Sequence, residues 1–336
     1  MPRRGGWRRV GSRRRFRYLD ARGREIEDEA KLARIASLAI PPAWRDVWIS
    51  PNPSAKLQAT GVDAAGRTQY RYHPDFRAAQ EQAKFDRLVR FGELLPDLRR
   101  TTAAHFQQEE LEREWTCAVA VRVINLAWFR VGSERSARQA RTYGVTTLRK
   151  NHVAVRGSRV SFRFQAKGRV SVRTTLVDDE LGAAFRTLAG LPGSRLLRYR
   201  RESVLANLTA PQLNDYLGLH LGSGFTAKDF RTWGGTLTAA IALAEHGPPA
   251  SATEGRRVVA AVMRTVAERL GNTPAVARAS YVSPAVVEQF LDGRTLEHFR
   301  PRRLRVVGAR DVGLDVEEAA LLSLLRSWRV RRALAA

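Results

Sequence analysis

Hydrophobic and polar residues alternate in short runs near the start of the chain and recur at helical spacing beyond it. From about residue 16 to 75 the runs are brief and broken by turn residues. "FRYLDARGREI" predicts a hairpin, and "VWISPNPSAKLQATGVDAAGRTQYRYH" predicts two or three strands around a loop. Past "HPDFRAAQEQAKFDRLVRFGELLPDL" the helical period takes over, which sets a boundary near residue 80. The expected fold class is α+β: a small β-rich domain over residues 1–80, then a larger, mainly α-helical domain over 81–336 that carries a β-hairpin.

Within the second domain, Cys117, Val121, Ile124 and Trp128 recur at helical spacing with apolar neighbours on the other side, so this helix is expected to be buried. Arg130 falls at its end. An arginine there either complements the negative end of the helix dipole or, because "FRVGSER" runs through Gly to a new cap, faces a cleft. In "RVSFRFQAKGRVSVRT", Val160, Phe162 and Phe164 alternate with polar residues, as do Val170 and Val172, and the two runs are joined through "AKGR". Lys167 therefore sits at a hairpin tip. A tip lysine commonly serves solubility alone, but a hairpin also delivers an ammonium group into a groove without burying its stem.

"GSGFTAKDFRTWGGT" predicts a glycine-rich turn and then a helix that Thr226 and Asp229 cap as a box-like pair. Lys228 and Arg231, three apart, would share a face in its first turn, either as a phosphate site or as a solvated basic face. Val259, Val262, Val266 and Leu270 mark a core-facing helix that stops at Gly271. Thr273 with Pro274, and Ser283 with Pro284, then repeat an N-cap and first-turn signature. Tyr281 lies at the joint between the two short helices so predicted, where sealing into a core is disfavoured.

Composition narrows the function. The 336 residues, 44% of them hydrophobic, suffice for two domains with cores of their own. No apolar run approaches the roughly 18 residues of a membrane span, and "MPRRGGWRRVGSRRRFRYLD" lacks the apolar centre of a secretory signal. A soluble, cytoplasmic protein with no membrane partner is expected, its arginine-rich ends being the only low-complexity segments. The single cysteine, Cys117, excludes a disulfide framework or a cysteine-based metal site within one chain. With 58 Lys and Arg against 33 Asp and Glu, the net charge of +25 repels itself unless a polyanion is nearby, and nucleic acid is the expected partner. Around Arg67, Gln69, Tyr70 and Tyr72 the β domain mixes hydrogen-bonding groups, ring faces and cations, as base edges and phosphates require. An ordinary amphipathic strand has the same pattern.

No G-x-x-x-x-G-K-[ST] loop exists, so no nucleotide cofactor is expected. The acidic runs "VDDE" (177–180) and "DVEE" (315–318) fit helix starts better than a metal site, and no metal is expected either. What remains is a set of cations and one tyrosine. A tyrosine hydroxyl, with an ordinary pKa of about 10, attacks a phosphodiester only where positive charge favours its ionised form. Arg130, Arg231 and Lys167 can supply that charge, the arginines also offsetting charge on the transferring phosphoryl group. With no histidine near these motifs, a lysine is the natural acid for the leaving oxygen, and the hairpin puts Lys167 in that role.

Taken in order, "LQATGVDAAGRTQYRYH", "FRVGSER", "VTTLRKNHV" leading to the "AKGR" turn, "FTAKDFRTWGGT" and "LGNTPAVARASYVSP" resemble the type IB DNA topoisomerases, in the short form found in bacteria and poxviruses. The likeness covers nearly the whole chain. It implies Tyr281 as the nucleophile that forms a 3′-phosphotyrosyl bond, Lys167 as the acid for the 5′-hydroxyl, and Arg130 and Arg231 as the arginine pair. Many members of that family carry a histidine nine residues before the tyrosine. Here the position is Asn272, whose amide N–H can make the same contact to a non-bridging oxygen. Gln69, Tyr70 and Tyr72 match positions that touch DNA in the major groove. The resemblance further implies a monomer closing its two domains around duplex DNA as a clamp, and strand nicking, swivelling and resealing without ATP or an obligatory metal. A tyrosine recombinase is the alternative, although its second arginine usually follows His-x-x-Arg, where this chain has Lys228-Asp-Phe-Arg231. A DNA-binding protein without catalysis is a third.

Overall fold

The computed structural model describes residues 5–12, 15–300 and 313–335; part of the arginine-rich N-terminal run lies outside them. The chain divides into two compact units, Met1–Lys84 and Phe85–Ala336.

The first unit is built on a five-stranded antiparallel sheet in the order β2-β1-β3-β4-β5. Its strands are β1 (Trp7–Ser12), β2 (Arg15–Leu19), β3 (Arg45–Ile49), β4 (Leu57–Val62) and β5 (Thr68–Tyr72), with α1 (Glu29–Ser37) between the second and third. Trp7, Ile26, Ile35, Val47, Ile49 and Ala59 form its core. The hairpin expected of "FRYLDARGREI" is shorter than its pattern suggested. Asp20 closes the turn by accepting from the N–H groups of Arg22 and Arg24, but only a single bridge, Leu19 to Glu25, follows. Ile26 is drawn into the core and Asp28 caps α1, so β2 takes its full register from β1. That partner strand comes from the arginine-rich stretch read as low complexity: Trp7 is buried, while Arg8 faces solvent.

α2 (Pro74–Phe106) carries the chain into the second unit, which continues with α3 (Arg113–Ala127) and α4 (Glu134–Gln139). A three-stranded antiparallel sheet follows, β6 (Val153–Arg156), β7 (Arg159–Ala166) and β8 (Val170–Val177), then α5 (Asp179–Gly190) and a separate hairpin of β9 (Arg198–Arg201) and β10 (Val204–Asn207). The remaining helices are α6 (Ala210–Leu221), α7 (Ala227–His246), α8 (Ala252–Leu270), α9 (Pro274–Ser280), α10 (Pro284–Leu291) and α11 (Val316–Ala335). This mixture of a sheet-based unit and a helical unit with small sheets is the α+β class expected from the periodicities.

Two elements set the site's frame. α3 is buried almost throughout, from Trp115 to Ile124, as its apolar spacing predicted. In β7 the alternation is clean, with Val160, Phe162, Phe164 and Ala166 buried, and Phe129, just past α3, meets Phe162 and Phe164 edge-on at ring distances of 5.3 Å. The hairpin is thereby fixed to the end of α3 through aromatic packing.

Candidate active site

Tyr281 is the C-terminal cap of α9, with its N–H on Ala277 O at 2.9 Å. Thr273 caps the start of that helix and Ser283 the start of α10, so each Ser/Thr-Pro pair opens a helix and the tyrosine occupies the joint, half-buried. Thr236 of α7 holds the joint in place. Its hydroxyl donates to Tyr281 O at 3.1 Å and accepts from Ser283 N at 3.1 Å. α7 can come this close because residue 235 is glycine: a Cβ there would lie 2.8 Å from Tyr281 O and 3.1 Å from Tyr281 Cβ. Gly234 does the same for the Trp128 indole.

Arg231 is buried at 5% exposure, donating to Trp128 O at 2.5 Å and Leu270 O at 2.7 Å. Both acceptors are helix ends. Trp128 caps α3 in the left-handed conformation (φ 52°), and Leu270 is the last residue of α8, ahead of left-handed Gly271 (φ 60°). The last carbonyls of a helix have no partner within it and carry the negative end of its dipole, so two converging helix ends make a seat for a cation. Arg130 occupies the same seat, donating to Leu270 O at 3.5 Å, to Gly271 O at 3.2 Å and to the Asn272 side-chain oxygen. Asn272 is left with a buried Nδ2 that has no hydrogen-bond partner among the described residues.

The Arg231 guanidinium lies over the Tyr281 ring, 5.0 Å from its centre. Burial, and then repulsion from Arg130, bring the Arg231 pKa down to about 10; burial also lowers that of Arg130. For Tyr281, burial alone would push the hydroxyl up, but Arg231, Arg130 and Lys228 outweigh it and hold it below its ordinary value.

The structure thus brings Tyr281, Arg130, Arg231 and Asn272 together. Lys228 and Arg231 do not share a solvated face: Arg231 turns into the protein, and Lys228 stays exposed in the first turn of α7, behind the box of Thr226 and Asp229. Asp229 also pairs with Arg87 of α2 at 2.8 Å. Lys167 stands at the hairpin tip, exposed, in a tight turn through left-handed Gly168 and Arg169, and it makes no hydrogen bond or ion pair with a described residue. Val170, where the turn enters β8, lies against Gly271; a Cβ on that glycine would be 3.1 Å from Val170 Cγ1. A cavity of about 320 Å³ opens between hairpin and arginines, lined by Trp128, Arg130, Val170, Arg173, Arg231 and Gly271 among others. Among the described residues, no group of three or more His, Cys, Asp or Glu side chains is suited to hold a metal ion.

In the first unit, the residues of the β5 region divide by face. Tyr70 and Tyr72 are 51% and 41% exposed and stacked, with ring centres 6.1 Å apart, on the strand that ends the sheet. Arg67 and Gln69 instead converge on Asp63, the arginine at 2.7 Å and the amide at 2.9 Å. Hydrogen bonds from the Arg67 side chain, then its backbone, hold the Asp63 carboxyl at about 2.

Sequence reasoning missed the carbonyls of Trp128 and Leu270, which seat the cations, and the Thr236 hydroxyl, which holds the Tyr281 joint. A backbone acceptor leaves no residue-type signal. Only Gly234, Gly235 and Gly271 hinted that chains approach closely here.

Residues 73–294 match the family model of the eukaryotic DNA topoisomerase I catalytic core, and residues 15–63 that of the bacterial DNA topoisomerase IB N-terminal domain. The chain is 30% identical over 267 residues to DNA topoisomerase 1B of Acanthamoeba polyphaga mimivirus, an alignment covering 77% of this chain and 80% of the relative. It is 20% identical over 244 residues to DNA topoisomerase I of monkeypox virus and to DNA topoisomerase 1B of vaccinia virus, covering 72% of this chain and 75% of each.

Proposed function

We propose that this chain, which belongs to the type IB DNA topoisomerase family, relaxes positive and negative supercoils in duplex DNA by transient cleavage of one strand. The Tyr281 oxygen attacks the scissile phosphorus, forming a 3′-phosphotyrosyl bond as the bond to the 5′ oxygen breaks. The tyrosine proton leaves to solvent, and Lys167 protonates the departing 5′ oxygen. The free end swivels, and the 5′-hydroxyl then attacks the phosphotyrosyl phosphorus as the bond to the Tyr281 oxygen breaks, Lys167 taking its proton back and the tyrosine regaining one from solvent. One phosphodiester is exchanged for another, so the bond energy is retained and neither ATP nor an obligatory metal is required.

The observation that carries this reading is the pair of guanidiniums seated on helix-end carbonyls beside Tyr281. The seat costs the arginines no reorganisation when charge develops on the non-bridging oxygens, and this kind of preorganisation is often the largest catalytic term. Asn272 supports it. With its oxygen committed to Arg130, only its N–H groups remain to donate to the phosphate. An exposed lysine on a hairpin tip fits a proton donor that meets its substrate from outside the buried cluster. Tyr70 and Tyr72 offer ring faces to DNA and Lys228 a phosphate contact, whereas Arg67 and Gln69 reach DNA by giving up Asp63.

Relaxation of supercoiled plasmid in EDTA without ATP tests the reading, with SDS added to trap adducts and Tyr281→Phe run in parallel. Wild type is expected to relax both signs of supercoil and to form a covalent adduct. Tyr281→Phe keeps the ring under Arg231 and should bind DNA, with neither adduct nor relaxation. An adduct formed by the Phe variant would remove Tyr281 from the mechanism.

A further inference from the structure

Trp233 stands two residues beyond Arg231 on α7, and its indole is 2% exposed. The indole N–H donates to Glu318 Oε1 at 3.1 Å. That carboxylate, near the start of α11, also accepts from Arg99 of α2 through both oxygens, at 2.7 and 2.8 Å, and from the Asp315 N–H at 3.2 Å. Arg99 in turn donates to Asn125 of α3 at 3.2 Å and to Gly313 O at 2.6 Å. The buried carboxylate and its Arg99 partner therefore join α2, α3, α7 and α11. There is no slack beside the indole, since a Cβ on Gly92 of α2 would lie 2.6 Å from its ring.

This hub holds the helix that Tyr281 leans on. α7 meets Trp128 at Gly234 and Tyr281 at Gly235, and Arg231 reaches from it to the carbonyls of Trp128 and Leu270. A turn of α7 about its axis would swing Arg231 off that seat, and the Trp233 anchor opposes such a turn. Glu318 lies beyond residue 294, where the match to the catalytic-core family ends.

We propose that Glu318 is a positioning residue for transesterification: through the Trp233 indole it fixes the rotation of α7 and so holds Arg231 at Tyr281. The inference rests on the roles of Tyr281 and Arg231 proposed above. A carboxylate that only stabilised the fold would affect melting and leave the chemical step of the folded enzyme unchanged, and that difference is measurable.

Trp233→Phe removes the indole N–H and leaves the pair of Arg99 and Glu318 intact; Glu318→Gln removes the charge. Both variants and their combination are compared with wild type in single-turnover cleavage of a duplex oligonucleotide, trapped with SDS at saturating enzyme and well below each melting temperature. DNA affinity is measured in parallel. Misplacement of a catalytic group by a distant change can cost about a hundredfold, so Trp233→Phe is expected to slow cleavage about tenfold or more with DNA affinity unchanged. The double variant should be no slower than Trp233→Phe, because Glu318 acts on α7 only through the indole N–H that this change already removes. Where Glu318→Gln does not fold, Trp233→Phe alone carries the test. Cleavage by folded Trp233→Phe within about twofold of wild type, or losses that multiply in the double variant, overturns the proposal. A wild-type enzyme that forms no adduct overturns the topoisomerase mechanism, and this inference with it.

Discussion

Arg231 and Lys167 are cations proposed to act on one phosphate, and the protein seats them in opposite ways. Arg231 is buried, bonded to two helix-end carbonyls and pressed against the tyrosine ring; Lys167 stands in solvent on a two-stranded tip and bonds to no described residue. The difference matches the two proposed tasks. A group that stabilises charge works best when it cannot move, and a group that gives up a proton and takes it back needs access to the departing oxygen. The structural cost of the site is therefore concentrated on the arginine side.

The sharpest way to break this contrast is Lys167→Ala. Loss of a general acid slows the chemical step by about 10²–10⁴-fold, and at an exposed tip it should leave the melting temperature where it was. Single-turnover cleavage beside a thermal melt reads both; a drop in melting temperature would show that the tip is also structural. Arg231→Ala should slow cleavage by about 10²–10³-fold and, unlike Lys167→Ala, also destabilise the fold by about 1–3 kcal/mol, since it strands buried acceptors.

The same variant should alter the pH profile. In wild type the Tyr281 hydroxyl ionises below its ordinary value, so cleavage should climb with pH and level off at lower pH than it does without Arg231. The linkage sign separates this from stability. Because the folded pKa lies below the unfolded one, ionisation stabilises the fold fully only above about pH 10, and that contribution fades as pH falls through the folded value. Near neutrality the lowered pKa adds nothing to stability. The smallest effect expected is that of Gly235→Ala. Its Cβ would press on Tyr281 O and Cβ, an overpacking that typically costs about 1–3 kcal/mol, and cleavage should fall about tenfold as the proposed nucleophile shifts.

Much of this frame could be read from residue types. The alternation of Val160, Phe162 and Phe164 gave the hairpin and its tip, and the Thr-Pro and Ser-Pro pairs gave the helix starts that leave Tyr281 at a joint. Local rules govern those features. The burial of Arg231 was not legible, because its partners are carbonyls contributed by α3 and α8 more than 38 residues away in sequence, and Trp128 ends α3 in a left-handed conformation that no glycine announces. The Arg67 and Gln69 pattern promised free contacts, yet Asp63, a few residues earlier, captures both. β9 and β10 went unnoticed because "RYRR" and "VLAN" are too short for a period to declare itself.

The seats of Arg130 and Arg231 consist largely of main-chain oxygen, and this bears on how the protein can change over generations. A mutation can delete a carboxylate in one step, but no single substitution deletes a carbonyl. Replacing Leu270, or Trp128 by another residue that tolerates its left-handed turn, leaves the oxygens where they are. The electrostatic heart of the site is written in the path of the chain, which point mutation alters slowly. The surrounding sequence can therefore drift a long way while the two guanidiniums keep their address.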